Sequence, residues 1–471
     1  MGFISDAHVG TYQDRRTGKL VSPLARCTTH TSKQTPDRTN LHTPRSSSSI
    51  NSIPSEILAD IFELCQPQGD WKDPLIPTLE RIVAVCSHWR AVALAAPYLW
   101  SQIKLYDPKE MHVSLVQSWL ERSRTCPLML AIRQVPVDAR CGEDQPLPRT
   151  DEATNRIFVL LSYHLNRWRS LKLFLCHITD IPQLPPSSAA APLFECLEIE
   201  DFSLTPSVAR GIWATIHAYP SLQRVAWSSE LNQKDFLPCL SSCDWGKLTH
   251  LTATFSVDDT LLNLLMHCTA LVFLDAHEGP STSAVISPRP PFVMPRLRTL
   301  HFRTEEALLD HLILPRLEEL MLYHDEAGLR KWVDLFARSS CTLKSVNLSV
   351  DNSTTREELD AFFSSSSMSQ VTELYAYEDW TSNLLVRGLT MHSDKMVIPS
   401  LQRLNLGVYN CTEGILQAMI ESRISYQHTQ LHFVDIAHGT YPYRTLADRS
   451  ADARYLEKLN ANGFNVTYNG P

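Results

Sequence analysis

The sequence predicts an α/β protein in which a small all-α unit precedes a solenoid of degenerate repeats with a curved parallel sheet. Apolar residues recur at helical spacing soon after residue 53. Beyond residue 151 a short apolar pattern recurs at nearly regular intervals, which is typical of a solenoid. Residues 28–52 are rich in Ser, Thr, Pro and Arg and nearly lack large apolar side chains, which predicts a flexible tail.

The length and composition indicate several units of ordinary globular protein. The chain has 471 residues, of which 44% are hydrophobic and 20% charged. A chain of this length is longer than one compact core usually contains, so more than one unit is expected. We place a disordered basic Ser/Thr-rich tail at 1–50 and a helical domain at 51–105. A linker helix, first strand and loop follow at 106–150, and the solenoid occupies 151–471.

The charge of the chain argues against nucleic acid as a partner. The formal net charge is −8, and the first fifty residues hold seven Lys or Arg against three Asp or Glu. The remainder therefore carries 36 basic against 48 acidic side chains, which repels phosphate backbones. The N terminus lacks a signal-peptide pattern and no apolar run is long enough to cross a bilayer. We expect no membrane partner and a cytoplasmic or nuclear protein.

Two amphipathic helices are predicted before residue 95, because apolar residues recur at helical spacing over 53–64 and again over 78–93. A third helical stretch covers 110–124 and is followed by an apolar strand at 128–132. The polar, proline-bearing segment 133–150 predicts a surface loop.

The repeat is a six-residue core of the form apolar-x-x-apolar-x-apolar. Its last two apolar positions alternate as in a short strand, and its first packs the turn before that strand. Successive cores are on average about 26 residues apart, within the leucine-rich-repeat period of about 20 to 29. The asparagine common beside the strand in such repeats is mostly missing, so the repeats are degenerate. The eleven cores are Trp168-Leu171-Leu173, Phe194-Leu197-Ile199, Leu222-Val225-Trp227, Leu248-Leu251-Ala253, Leu271-Leu274-Ala276, Leu297-Leu300-Phe302, Leu317-Leu320-Leu322, Leu343-Val346-Leu348, Val371-Leu374-Ala376, Leu401-Leu404-Leu406 and Leu431-Val434-Ile436.

Helix-like runs between the cores would close the coils of the solenoid. They lie at 207–219, 328–338, 355–363 and 412–422. The proline-rich stretch 279–295 is an insertion within one interval, either a surface loop without function or a partner-binding loop.

Two motifs follow one another in the predicted helical domain. An Ile-Pro-x-Glu-Ile-Leu start lies at 53–58, and a Val-Cys-x-x-Trp-Arg run lies at 85–90. In this order and spacing the segment resembles the F-box over about fifty residues. An F-box followed by leucine-rich repeats is an arrangement common in mushroom-forming fungi. The long loop 66–77 departs from the family pattern and leaves the angle between the helices open.

The resemblance implies a three-helix unit that binds the Skp-family adaptor of cullin–RING ligases. The protein would then be a non-catalytic substrate receptor of a Skp–cullin–F-box ubiquitin ligase, whose repeats bind a protein substrate that the sequence does not identify. The implied apolar contact and core set, with Arg90 at its edge, is Pro54, Ile57, Leu58, Ile61, Val85, Cys86 and Trp89.

The short helices, apart from the resemblance, also indicate that this unit needs a contact to cover its apolar side chains. A unit of about fifty residues can hardly bury all of its large apolar side chains alone. Either an external partner covers them or they dock on the first coils as a cap. In the second case the protein is a non-catalytic interaction scaffold. A helix-turn-helix is disfavoured because residues 51–105 hold four Lys or Arg against six Asp or Glu.

The sequence predicts neither an enzyme nor a metal or cofactor site. No GxSxG, HExxH, P-loop or GxGxxG pattern occurs. The twelve cysteines include no CxxC, and we expect them to be free thiols. His428 and His432 are four apart, but they lie around a predicted strand, where that spacing does not align them. A degenerate enzyme would need a pocket with clustered titratable groups.

Overall fold

The computed structural model of the protein describes most of the chain from residue 53 onward. The described ranges are 53–66, 78–135, 152–175, 191–201, 212, 218–229, 244–255, 259–278, 289–303, 306–322, 328–349, 354–376, 383–392, 396–407, 411–425, 430–436 and 450–468. Outside them lie the predicted tail at 1–50, the loop 67–77 and most of the predicted segments 133–150, 207–219 and 279–295.

Three short helices open the described part of the chain: α1 (Ser55–Leu64), α2 (Thr78–Val85) and α3 (Ser87–Ala95). We call them the helical unit. The first predicted helix is confirmed. The second predicted helix, over 78–93, is not continuous as expected. It is interrupted at Cys86, whose backbone is extended, with φ −159° and ψ 170°. The Cys86 Sγ atom accepts a hydrogen bond from the backbone N–H of Trp89 at 3.4 Å and so caps α3.

The spacing of apolar residues does not reveal this break. Leu79 and Ile82 on α2 and Val92 and Ala93 on α3 all lie in the same buried core. The helical pattern therefore continues across an interruption that is visible only in the backbone.

Fourteen parallel strands form the main sheet of the described residues, and they are paired in sequence order. They are β1 (Gln102–Tyr106), β2 (Leu128–Arg133), β3 (Trp168–Leu175), β4 (Cys196–Asp201), β5 (Arg224–Ser229), β6 (His250–Phe255), β7 (Phe273–Glu278), β9 (Thr299–Arg303), β11 (Glu319–Leu322), β12 (Ser345–Leu348), β13 (Glu373–Ala376), β14 (Arg403–Leu406), β15 (Phe433–Ile436) and β16 (Asn465–Tyr468). Two further strands, β8 (Phe292–Val293) and β10 (Leu312–Ile313), pair with each other. The prediction of a parallel sheet built from the repeats is confirmed.

All eleven predicted cores lie on strands of this sheet, and their apolar positions coincide from strand to strand. Leu171 pairs with Leu197, and Leu197 pairs with Val225, all three buried. The leading residue of each core is buried as well, as Leu222 shows at the turn into β5. Full burial of such a side chain contributes about 1.5–3 kcal/mol, so the aligned rows provide much of the core.

Three strands of the sheet were not predicted as repeats, and the sheet begins at Gln102, before the predicted solenoid boundary at residue 151. Ahead of β1 the full pattern is present as Trp100, Ile103 and Leu105. The leading position is Pro127 before β2 and Gly463 before β16. Gly463 stands where the other repeats have their leading apolar residue. Its φ is 87°, a conformation that favours glycine.

Helices lie between the strands and bury one side each. They are α4 (Glu110–Arg122), α5 (Glu152–Ser162), α6 (Asp259–His267), α7 (Leu329–Ser339), α8 (Arg356–Phe363), α9 (Asn383–Gly388), α10 (Ile415–Ile424) and α11 (Ser450–Ala461). The runs predicted at 328–338, 355–363 and 412–422 are confirmed as α7, α8 and α10. In α8, Thr355 and Glu358 form a capping box that satisfies the first backbone N–H groups.

A buried arginine joins neighbouring coils near the C-terminal end. The guanidinium of Arg423 on α10 donates to the carbonyl oxygens of Leu389, Val397 and Ile398 at 3.0, 3.0 and 3.2 Å. Burial lowers the pKa of Arg423 to about 10, so the group stays charged at neutral pH. Its hydrogen bonds add donors to carbonyl groups of buried residues.

We expect Arg423→Met to lower the free energy of unfolding by about 3 kcal/mol, because it leaves three buried carbonyl oxygens without these donors. The midpoint of urea unfolding measures the loss. Arg403→Met is the matched control, since Arg403 is exposed beside Phe433, and it should change stability by about 0.5 kcal/mol or less. Equal losses in the two variants would contradict this role.

Candidate functional site

The helix α1 has one buried and one exposed apolar side. Leu58, Ala59 and Phe62 are buried in the core. Ile57, Ile61 and Leu64 recur at positions i, i+4 and i+7 and are 52%, 38% and 77% exposed. Residues at this spacing lie on one side of a helix. α1 therefore presents a row of three large aliphatic side chains to solvent, which we call the α1 row.

The other site residues predicted from the sequence lie at the junction of α2 and α3. Val85 at the end of α2 is exposed, and Cys86 is half-buried as the cap of α3. The ring of Trp89 packs against Phe62 of α1 with 5.1 Å between ring centroids. Arg90 donates from Nε to the carbonyl oxygen of Val83 at 2.9 Å. This junction is thus held to α1 by an aromatic contact.

The predicted site residues differ in how far they are buried. Pro54, Ile57, Ile61 and Val85 are exposed. Leu58 is fully buried, so it belongs to the core and supports the surface from within. The Trp89 indole nitrogen is buried and has no hydrogen-bond partner among the described residues. Sequence reasoning missed Leu64 as a surface residue, although its place in the i, i+4, i+7 series was available as a signal.

Acidic side chains border the α1 row. Burial, together with the carboxylates of Asp60 and Glu63, raises the pKa of the Tyr98 phenol. Glu56 lies in the first turn of the same helix, where it is favoured by the helix dipole. The arrangement is an apolar strip with a negatively charged edge, which is suited to binding another protein.

A cleft lies between α2, β1 and α4. It has a volume of about 510 Å³ and is lined by Glu80 of α2, Lys104 and Tyr106 of β1, and Met111 and Trp119 of α4, among others. The sequence predicted the helix at 110–124 but gave no sign of this cleft. The cleft depends on how α4, β1 and Glu80 of α2 come together, which no local pattern encodes.

The solvent-facing side of the main sheet carries many polar side chains. Strand residues that alternate with the buried rows form pairs between neighbouring strands, such as Lys172 with Glu198 and Lys344 with Glu318. Within the described ranges, no three His, Cys, Asp or Glu side chains are placed to share a metal ion. No described helix is long and apolar enough to span a bilayer.

The repeated strand pattern and the parallel sheet define the described chain as a leucine-rich-repeat-like α/β solenoid with a short helical unit at its start. A scan against protein-family models finds no match, and a search of curated proteins finds no relative.

Among solved structures, a chain of the TLR13–ssRNA13 complex is 15% identical, with a TM-score of 0.33. The similarity covers 57% of this chain and 45% of that one, so the protein spans less than half of it. A chain of the Rad7–Elc1 complex of yeast is 11% identical over 73% of this chain and 88% of that chain, with a TM-score of 0.31. A chain of the Drosophila Toll–Spätzle complex is 12% identical over 72% and 51%, also with a TM-score of 0.31.

The two sides of α1 should respond differently to truncation. Leu58→Ala is expected to lower the free energy of unfolding by about 2–5 kcal/mol, because it leaves a cavity in the core. Ile57→Ala, one residue away and half exposed, should change it by about 0.5 kcal/mol or less. Urea unfolding followed by circular dichroism compares them. A large loss for Ile57→Ala would mean that its side chain is not on the surface.

Proposed function

We propose that the protein is the substrate-recognition subunit of a Skp–cullin–F-box ubiquitin ligase. The helical unit binds the Skp-family adaptor and through it the cullin, and the solenoid binds a protein substrate. The protein performs no catalysis itself and acts in the cytoplasm or nucleus.

The α1 row is the observation that carries this proposal. Ile57, Ile61 and Leu64 expose a contiguous aliphatic side, and such rows on a soluble protein mark a surface that another molecule covers. They lie in the segment whose sequence resembles the F-box. Pro54 and Val85 are exposed beside the same motifs, whereas Leu58 and Trp89 support the surface from within and Cys86 shapes the backbone between α2 and α3.

The solenoid supplies the second half of the proposed function. Its strands expose a new set of side chains at every coil, while the buried rows keep the backbone the same. A surface of this kind can vary in sequence without loss of the fold, which suits the recognition of a specific protein.

The alternative function is a non-catalytic scaffold in which the helical unit caps the solenoid. One contact favours it: the indole N–H of Trp100 donates to the carbonyl oxygen of Ala93 at 2.8 Å, beside the first strand. The core of the helical unit is also continuous with that of the sheet. This packing accounts for the buried side of α1 and leaves the α1 row unexplained.

The double substitution Ile57→Asp with Val85→Asp should abolish recovery of a purified Skp-family adaptor in a pull-down. Loss of two buried aliphatic contacts weakens binding by about 2 kcal/mol or more, roughly thirtyfold. Both positions are exposed in the free protein, so the fold should persist, which circular dichroism checks.

Ile424→Asp is the matched control, because Ile424 is a helical isoleucine that is 48% exposed on α10, far along the chain. It should leave adaptor recovery unchanged. No recovery by the wild-type protein would favour the scaffold, and equal recovery by the double variant would remove the α1 row and Val85 from the adaptor site.

A further inference from the structure

The α1 row has acidic side chains along one of its two long sides. Glu56, Asp60 and Glu63 recur at the same i, i+4, i+7 spacing as the row, each one position earlier in the chain. Successive residues of a helix are about 100° apart around its axis, so these carboxylates line one side of the row. Glu56 and Asp60 are exposed, and Glu63 is half-buried. We call these three residues the acidic stripe.

The charge of the acidic stripe is not balanced within α1. The helix Ser55–Leu64 contains these three carboxylates and no Lys or Arg. None of the three forms a salt bridge with a described residue. Other acidic side chains on the surface have such partners, as Glu110 has in Arg156 and Glu195 has in Arg169. The acidic stripe is therefore a local concentration of negative charge beside exposed aliphatic side chains.

The elements that pack against α1 do not supply the missing cations. They are mainly α3 and the turn Pro97–Trp100. The arginine of α3, Arg90, is turned toward α2, where it donates to the carbonyl oxygen of Val83. In the turn, the phenol of Tyr98 lies beside two of the three carboxylates. It is neutral at physiological pH, because burial and these carboxylates raise its pKa.

The opposite long side of the α1 row carries no charge. One position later than each member of the row lie Leu58 and Phe62, which are buried, and Cys65, which is exposed. A partner that lies along the row therefore meets carboxylates at one of its edges and uncharged side chains at the other. Charge on one side only can fix the orientation of that partner about the helix.

We propose that the partner surface that covers the α1 row is an apolar groove with Lys or Arg side chains along one edge, which meet the acidic stripe. The inference rests on the proposed function in taking the α1 row as the adaptor-binding side, and it names the chemistry of the adaptor's contact surface. The aliphatic contacts supply affinity, while the acidic stripe attracts the basic edge and repels acidic surfaces. A second copy of the chain would bring the same negative charge to this side, which opposes self-association there.

Acidic residues on other helices provide a matched control. Glu121 of α4, Glu357 of α8 and Glu421 of α10 are exposed. Replacing all three by glutamine removes the same charge from the chain as replacing the acidic stripe by its amides. A difference between these two triple variants therefore reports the position of the charge and not the net charge.

The test measures the affinity of the full chain for a purified Skp-family adaptor by biolayer interferometry. At about 0.05 M salt, the stripe variant (Glu56→Gln, Asp60→Asn, Glu63→Gln) should bind about tenfold more weakly than the wild type, and the control variant should stay within about twofold. Raising the salt to about 0.5 M should weaken binding by the wild type about tenfold and by the stripe variant less than about threefold, because salt screens surface charges. Circular dichroism checks that both variants fold.

A second probe does not depend on the adaptor. Two fluorescein-labelled helical peptides carry the same leucine row, which is flanked on one side by lysines in one peptide and by glutamates in the other. In fluorescence anisotropy the wild-type protein should bind the lysine peptide and not the glutamate peptide. The stripe variant and the Ile57→Asp, Val85→Asp protein should each bind the lysine peptide about tenfold more weakly.

Three results would overturn the proposal: adaptor binding that does not change with salt, equal adaptor affinities of the two triple variants, or equal binding of the two peptides. Failure of the proposed function gives a different result. If the adaptor binds the stripe and control variants equally, this inference is wrong and the proposed function stands. If the adaptor does not bind but the lysine peptide binds through the α1 row, the proposed function is wrong and the inferred chemistry of the partner stands.

Discussion

The structure depends on the requirement that each coil bury its apolar side chains against its neighbours. A single short strand and its turn cannot do this alone, so coils are stable only when stacked. Parallel pairing in register meets the requirement, because Leu171, Leu197 and Val225 occupy equivalent positions on adjacent strands. The same alignment continues to Val466 on the last strand. The helices can differ in length and sequence because these rows are constant.

No coil precedes the first one among the described residues, and the helical unit occupies that place in the packing. Leu58 and Phe62 lie in the same core as Trp100, whose indole N–H donates to the carbonyl oxygen of Ala93. A helix can bury only one of its sides in this way. The opposite side of α1, with Ile57 and Ile61, is left outward, so the packing that completes the solenoid also creates the surface proposed for the adaptor.

Buried polar groups are satisfied by side chains that reach from one coil to the previous one. Arg423 donates to three carbonyl oxygens of the preceding coil. Arg167 similarly donates to the carbonyl oxygen of Cys126, at 3.1 Å. Leucine-rich repeats commonly use an asparagine beside the strand, and this chain mostly lacks it. In these two coils, long side chains from a helix and a turn supply donors to backbone carbonyl oxygens.

The sequence by itself determined the eleven central strands and three of the helices between them, because a strand buried on one side needs alternating apolar residues and a helix needs them every three or four. Ile57 and Ile61 entered the predicted contact set through the resemblance to the F-box, and both are exposed on α1. The break at Cys86 required the structure, because both helices keep the same core and the spacing runs through the interruption. The sequence predicted the strand at 128–132, which is β2, but not its place in the repeat sheet, because Pro127 stands at its leading position. The strand β16 required the structure too, since Gly463 replaces its leading apolar residue. Tertiary packing alone decided that Leu58 is inside while Ile57 is outside, and that His250, Phe273 and His301 meet. Residues 23 and 28 positions apart become neighbours only through strand pairing, which no local pattern specifies.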